Sequence, residues 1–246
     1  MKKLFKNIFK RPASDMLFQA ASVSGRTKEK EAHELDFWIN VWNKKIVDRV
    51  IGKNGLDTND PENISRLYDV ERMKVAKDQL SGLLWMAKKP EGYLDGKIVV
   101  EIGPGCCCGL DVSNAKMKIL VEPVAEAYRD NGLLLKNNDS ALYLTCGSEK
   151  IPIFGNYVDV VIASNSLDHV EDINASVAEF RRILKPGGEF FLNLEINHEP
   201  TVCEPFALKY NEVADLFSSF ETVFMEQTKN PDGRDWVRAV FKKPKA

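Results

Sequence analysis

The sequence predicts an α/β protein: an open, mostly parallel seven-stranded sheet, closed by an antiparallel C-terminal hairpin and preceded by a helical cap. Three observations predict it. After Lys97, short apolar runs alternate with amphipathic stretches, the pattern of parallel strands joined by right-handed crossovers. The first of these runs ends in a glycine turn, and the second ends in an acid. The tail differs, because Asn230-Pro-Asp-Gly233 separates two strand-like runs, a link too short for a parallel pair. A chain of 246 residues suits one such domain and an appendage, divided here into a tail and helical cap (1–90) and a sheet domain (91–246).

The elements follow in chain order. Met1 to Arg11 is basic, with Leu4, Phe5, Ile8 and Phe9 able to form one face of a short helix. Such a segment either rests on a membrane surface or packs locally, and it lacks the apolar stretch of a signal peptide. From about 27 to 51, Leu35, Trp38, Ile39, Trp42, Ile46 and Val50 recur at helical spacing. A loop at Gly52 to Asn59 leads to Asp60-Pro61, a helix start with proline in the first turn. The second helix reaches about Lys88, with Leu80, Leu83 and Leu84 on its apolar side, and Pro90-Glu-Gly92 ends it. These apolar residues read as packing surface, and the two helices are placed to cover a ligand at the strand tips.

Strands are expected at 97–102, 118–122, 141–145, 157–164 and 189–196. Only Gly109 to Lys116 is left for the first crossover, barely two helical turns. Asp172 to Leu184 is the clearest helix, since Ile173, Val177, Phe180, Ile183 and Leu184 share a face, and Lys185-Pro-Gly-Gly188 stops it. A short helix at Asn211 to Phe217 precedes the hairpin strands Thr222 to Glu226 and Trp236 to Phe241.

Composition excludes several classes. Apolar residues at 44% and charged residues at 28% are ordinary for a soluble globular chain, and a net charge of −2 offers no basic field for nucleic acid. No run approaches the ~20 apolar residues of a spanning helix, so no stable membrane insertion is expected. Three of the five cysteines are consecutive, Cys106 to Cys108. Neighbours in a tight turn have no disulfide geometry and lack C-x-x-C spacing. They read as small residues beside a bound ligand in a reduced, cytosolic setting.

The chemistry concentrates in Lys97-Ile-Val-Val-Glu-Ile-Gly-Pro-Gly-Cys-Cys-Cys-Gly109 and Met117-Lys-Ile-Leu-Val-Glu-Pro123. A buried strand feeding glycines lets a ligand approach the backbone. Glu122, 19 residues after Gly103, can take both hydroxyls of a ribose at the tip of the next strand. The pair reads as a site for an adenosine-containing cofactor. Gly103, Gly105 and Gly109 are spaced G-x-G-x-x-x-G, one residue off the dinucleotide fingerprint, and the stunted crossover gives a pyrophosphate no full helix to rest on. A nicotinamide dehydrogenase is therefore disfavoured.

Residues from about 97 to 243 resemble a class I S-adenosylmethionine-dependent methyltransferase of the small-molecule, type 11-like kind. Four blocks carry the resemblance: Glu101-Ile-Gly-Pro-Gly105, Val121-Glu-Pro123, Ser148-Glu-Lys-Ile-Pro-Ile153 leading to Val158-Asp-Val-Val-Ile-Ala-Ser-Asn-Ser-Leu-Asp-His-Val170, and Leu184-Lys-Pro-Gly-Gly188. The resemblance implies a Rossmann-like fold whose last strand is antiparallel, with S-adenosyl-L-methionine as cofactor. It places Gly103 and Gly105 beneath the methionine part, with Glu101 supporting that turn. It puts Glu122 on the ribose hydroxyls, Ser148 and Glu149 on the adenine, and Ser164 and Asn165 beside the methionine portion. Three features depart from the family: Cys107 stands for its third small residue, Gly147 for an acid before the adenine pair, and the first crossover is short.

For methyl transfer to a hydroxyl, a neutral histidine is the side chain best matched to remove the proton at pH 7. His198, after the fifth strand, is the first candidate base and His169, after the fourth, the second. His169 can equally tie its loop to the following helix, and His33 reads as a surface or packing residue. Asp168 can orient either histidine or serve as a plain loop acid, and Asn193 and Glu195 can line the site or cap the sheet. Thr201 to Phe206 suits a substrate loop. No carboxylate and histidine set at ligand spacing stands out, so no metal is expected. The reading is methyl transfer to a small polar acceptor at oxygen, on a layout resembling bacterial enzymes that decorate surface polysaccharides or their precursors. The alternative, motivated by Cys107 and Gly147, is a non-catalytic cofactor-binding module or partner subunit.

Overall fold

The computed structural model describes residues 28–42, 61–134 and 141–245. The basic segment Met1 to Arg11, the Ile46 and Val50 continuation of the first helix, the loop at 52–59 and the Asp60 helix start lie outside the described residues. Helix α1 is Lys28–Trp42 and α2 is Pro61–Met86. Strands β1 (Ile98–Ile102), β2 (Met117–Val121), β3 (Ala141–Leu144) and β4 (Val158–Ser164) are followed by β5 (Leu184–Ile196), β6 (Glu221–Lys229) and β7 (Asp235–Lys242). Helices α3 (Ala125–Asp130), α4 (Ile173–Ile183) and α5 (Tyr210–Leu216) fill the crossovers.

The seven strands form one sheet in the order β3-β2-β1-β4-β5-β7-β6. All pairings are parallel until β7, which runs antiparallel to both β5 and β6. The chain begins at β1 in the middle, moves out to β3, then returns to β4 on the other side of β1. That reversal opens a crevice at the carboxyl ends of β1 and β4, where open α/β sheets bind ligands. One boundary differs from the sequence reading. Strand β5 begins at Leu184 rather than 189, because Leu184 already pairs with Val158 and the register slips before Val160 meets Glu189. The Lys185-Pro-Gly-Gly188 segment is thus a bulged strand start, with Gly187 at φ +79.

Alternation along each strand supplies two cores. One face carries Val100, Ile119, Val161 and Phe190, covered by Val177, Phe180 and Ile183 of α4 and by Val213 of α5. There, Phe180, Phe190, Phe217 and Phe241 stack in sequence at centroid spacings of 5.1, 5.0 and 4.3 Å. Asp172 caps α4, accepting from the Ala175 amide at 2.9 Å. The opposite face carries Val99, Leu120, Ile162 and Phe191, and its cover is Leu83 and Leu84 of α2 with Ala87 just beyond the helix. Helix α2 therefore fills a layer that the stunted β1–β2 crossover leaves bare. That crossover is a 3₁₀ turn, Gly109–Val112, and a Cβ on Gly109 would sit 2.9 Å from the Leu80 backbone nitrogen. The third glycine is late because it meets α2 and not a helix of its own.

Among the described residues, no helix is long and apolar enough to cross a membrane.

Candidate functional site

A cleft of about 300 Å³ opens at the carboxyl ends of β1, β2 and β4. Its floor is the turn after β1. Gly103 and Gly105 hold φ of +58 and +66, and neither tolerates a side chain. A Cβ on Gly103 would come within 2.7 Å of the Ser166 Cβ, and one on Gly105 within 2.5 Å of the Trp38 ring. Glycine is required there by conformation and by close approach together.

Glu122 ends β2 at the cleft wall and is 3% exposed. One carboxylate oxygen accepts from the Gly105 amide at 3.0 Å, and the other accepts from the Val124 amide at 3.0 Å. The acid thus braces the glycine turn. Ser148 and Glu149 also line the cleft. Ser148 shares a 2.8 Å hydrogen bond with Ser176, and Glu149 accepts from the amides of Glu171 and Asp172 at 2.8 and 3.3 Å. Asn165, at φ +52, lines the cleft beside Ser166, whose hydroxyl donates to the Ile102 carbonyl at 2.6 Å.

Three of the residues expected at the site stand away from it. Glu101 lies on the α2 face of β1, beneath the turn, and accepts from the Cys108 thiol at 2.8 Å. Burial pushes its carboxyl up to about 7, with nearby Asp111 adding to the rise and the Cys108 bond opposing it. Ser164 accepts from the Asn193 amide nitrogen at 3.5 Å and is not part of the cleft wall. His198 is not on the wall either. Its Nδ1 meets the Glu199 carbonyl at 3.0 Å and its Nε2 faces Asp168 at 3.6 Å. The cysteine run also differs from expectation, for Cys106, Cys107 and Cys108 are buried under the turn and not beside the cleft. Burial, first among the causes, raises the thiols of Cys107, to about 12, and of Cys108. Asn193 and Glu195 remain on β5, where Glu195 pairs with Arg234 at 2.6 Å.

The far wall was not legible from local motifs. Glu34, Phe37 and Trp38 of α1 line it together with His33, the residue read as surface or packing. Lys30 donates to the His169 carbonyl and pairs with Glu171 at 3.3 Å, so α1 is tied to the loop after β4. The only sequence signal for this is the i, i+4, i+8 stripe Lys30, Glu34, Trp38, which mixes charge with an aromatic ring. Thr201, Cys203 and Glu204 of the expected substrate loop complete the wall.

At that end His169 lies between carboxylates. Its Nδ1 is 3.3 Å from Glu34, and its Nε2 is 3.6 Å from Glu204 and 3.9 Å from Asp168. Burial pulls the imidazole down, but the Glu34 hydrogen bond and the charges of Asp168, Glu34 and Glu204 outweigh it and hold His169 above its ordinary value. Asp168 is 1% exposed, and burial raises its carboxyl despite the two histidines.

Comparison with known proteins matches this geometry to a family. The family described as "Methyltransferase domain" matches residues 100–192. The ubiquinone/menaquinone biosynthesis C-methyltransferase UbiE of Caulobacter vibrioides is 41% identical over 64 residues, 26% of this chain and 24% of that protein. Its counterpart in Burkholderia vietnamiensis is 39% identical over 75 residues, 30% of this chain and 28% of that protein. The chain thus spans about a quarter of the length of the curated relatives it matches. Among solved structures, the Burkholderia thailandensis 1,6-didemethyltoxoflavin-N1-methyltransferase, bound to 1,6-didemethyltoxoflavin and S-adenosylhomocysteine, superposes with a TM-score of 0.51 at 12% identity. That match covers 91% of this chain and 93% of the other. The cyclase SpnF superposes with a TM-score of 0.52 at 14% identity, covering 69% of this chain and 81% of its own. Those two likenesses speak to fold alone, and a cyclase among them shows that fold does not fix chemistry. Residues 100–192 thus match a methyltransferase-domain family, and the remainder of the chain is similar to such proteins in fold.

Proposed function

We propose that the chain transfers a methyl group from S-adenosylmethionine to an oxygen of a small polar acceptor. The observation that carries this is the shared cleft: Gly103, Gly105 and Glu122 form one end, and His169 and Glu204 form the other. The residues present fit the cofactor. The turn is a cradle that a Cβ would fill, the Glu122 carboxylate stands on the cleft wall beside it, and Ser148 and Glu149 stand next along the wall. When bound, S-adenosylmethionine supplies an electrophilic methyl on a sulfonium.

The chain's own residues then have to hold, align and exclude water, since displacement from a good leaving group depends mostly on alignment. Helix α1 roofs the site through Phe37 and Trp38. Glu204 is the group assigned to accept the hydrogen bond of the acceptor hydroxyl. His169 is assigned to position Glu204 from 3.6 Å, and Asp168 to anchor both histidines from behind. His198, the leading candidate base from sequence, becomes a positioning residue. The acidic wall favours an acceptor that is neutral or cationic over an anionic one, which is compatible with an unphosphorylated sugar. Titration calorimetry with S-adenosylmethionine and, separately, with NAD tests the cofactor: binding of the first alone is expected, and binding of NAD alone would overturn the reading.

A further inference from the structure

The acceptor atoms around Asp168 are not matched by hydrogen-bond donors. Asp168 is 1% exposed, and neither of its oxygens has a hydrogen-bond partner; nor do the Nε2 atoms of His169 and His198. The tautomers follow from the neighbours. The Glu199 carbonyl and the Glu34 carboxylate can only accept, so each histidine carries its proton on Nδ1. Each Nε2 then lies near carboxylate oxygens: His169 at 3.9 Å from Asp168 and 3.6 Å from Glu204, His198 at 3.6 Å from the second oxygen of Asp168. A proton or a bound cation between these atoms would balance them.

We infer that Asp168, His169 and Glu204 bind a first-row divalent cation at the acceptor end of the cleft. Their three ligand atoms lie within 4.8 Å of one another. Metal–ligand bonds of about 2.0–2.2 Å place neighbouring ligand atoms roughly 3–4 Å apart, close to the 3.6 and 3.9 Å found here. One imidazole and two carboxylates suit zinc, manganese, iron or cobalt better than a calcium cage. The surroundings fit a metal-ligating histidine, whose other ring nitrogen regularly donates to a carboxylate: His169 does so to Glu34 at 3.3 Å, and Lys30 fixes its backbone. His169 and Glu204 both line the cleft, so an acceptor oxygen can reach the open coordination position. The site involves only protein atoms and stands whether or not the methyl-transfer reading does.

The full chain, stripped with a chelator and titrated with Co²⁺ in the absence of S-adenosylmethionine, tests this by the visible absorption of coordinated cobalt. Saturation at one equivalent is expected. Asp168→Asn and Glu204→Gln should each weaken binding by about tenfold or more, with circular dichroism confirming the fold, and Glu34→Gln by about tenfold. The remote Glu226→Gln should leave the titration unchanged. Failure to saturate, or cobalt binding that survives both Asp168→Asn and Glu204→Gln, would overturn the site and leave protons on the two Nε2 atoms as the balancing charge.

Discussion

The two ends of the cleft are built on opposite principles. At the glycine end Glu122, Ser166 and Ser148 are each paired within the protein: Glu122 with two amides, Ser166 with a carbonyl, Ser148 with Ser176. At the histidine end, buried acceptors of Asp168, His169 and His198 face each other without donors. A prepaired end recognises a fixed ligand with little reorganisation, because its geometry is set before binding. An unpaired buried cluster costs stability until a proton, cation or substrate joins it, and such groups persist where function requires them. On the proposed reading, cofactor recognition and acceptor chemistry are thereby separated along one groove.

The comparison breaks most sharply at the glycine end. Gly105→Val forces a side chain into Trp38 at a positive φ, and S-adenosylmethionine affinity should fall a thousandfold or more, about 4 kcal/mol, by calorimetry. Retained affinity would mean that the ligand does not use this turn. Next in size is a pH effect beneath the turn. Glu101 sits near 7 in the folded chain against an ordinary 4.5, so the stability it contributes is full below 4.5 and is lost as pH rises through 7. Relative to Glu101→Gln, the native chain should lose on the order of 3 kcal/mol across that window in denaturant titrations. Parallel stability profiles for the two proteins would contradict the buried-acid account.

Glu122→Ala should weaken S-adenosylmethionine binding by about 1–3 kcal/mol, the cost of losing a buried polar partner. Glu204→Gln, at the other end, should leave cofactor affinity within about 0.5 kcal/mol while lowering turnover. Equal losses in both variants would erase the distinction between the two ends. The smallest effect is expected in the roof. Trp38→Ala should weaken binding about threefold, near 0.7 kcal/mol, seen as faster dissociation in stopped-flow fluorescence; unaltered dissociation would show that α1 does not cover the ligand.

The glycine end was legible because its parts are local. Gly103, Gly105 and Glu122 lie on consecutive strand tips, and burial period, turn chemistry and spacing all report on short windows of chain. The mostly parallel sheet, the hairpin and helix α4 were readable for the same reason. The bulged start of β5 was hidden, since Lys185-Pro-Gly-Gly188 looks like a helix stop and only pairing with Val158 reveals the strand. The role of Gly109 was hidden too, because its partner is the Leu80 backbone of α2. The histidine end gathers Glu34, Asp168, His169, His198 and Glu204 from three separate segments. No spacing rule connects residues whose only relation is the tertiary fold, which is why Glu34 and Glu204 were not singled out and His198 was placed on the wall rather than behind it.

A structure of the chain bound to S-adenosylhomocysteine would test the arrangement most directly. The expected result is a nucleoside whose ribose hydroxyls meet Glu122, whose adenine lies by Ser148 and Glu149, and whose sulfur points towards His169 and Glu204 above Gly103 and Gly105. Ligand density outside this cleft, or a ribose making no contact with Glu122, would contradict it.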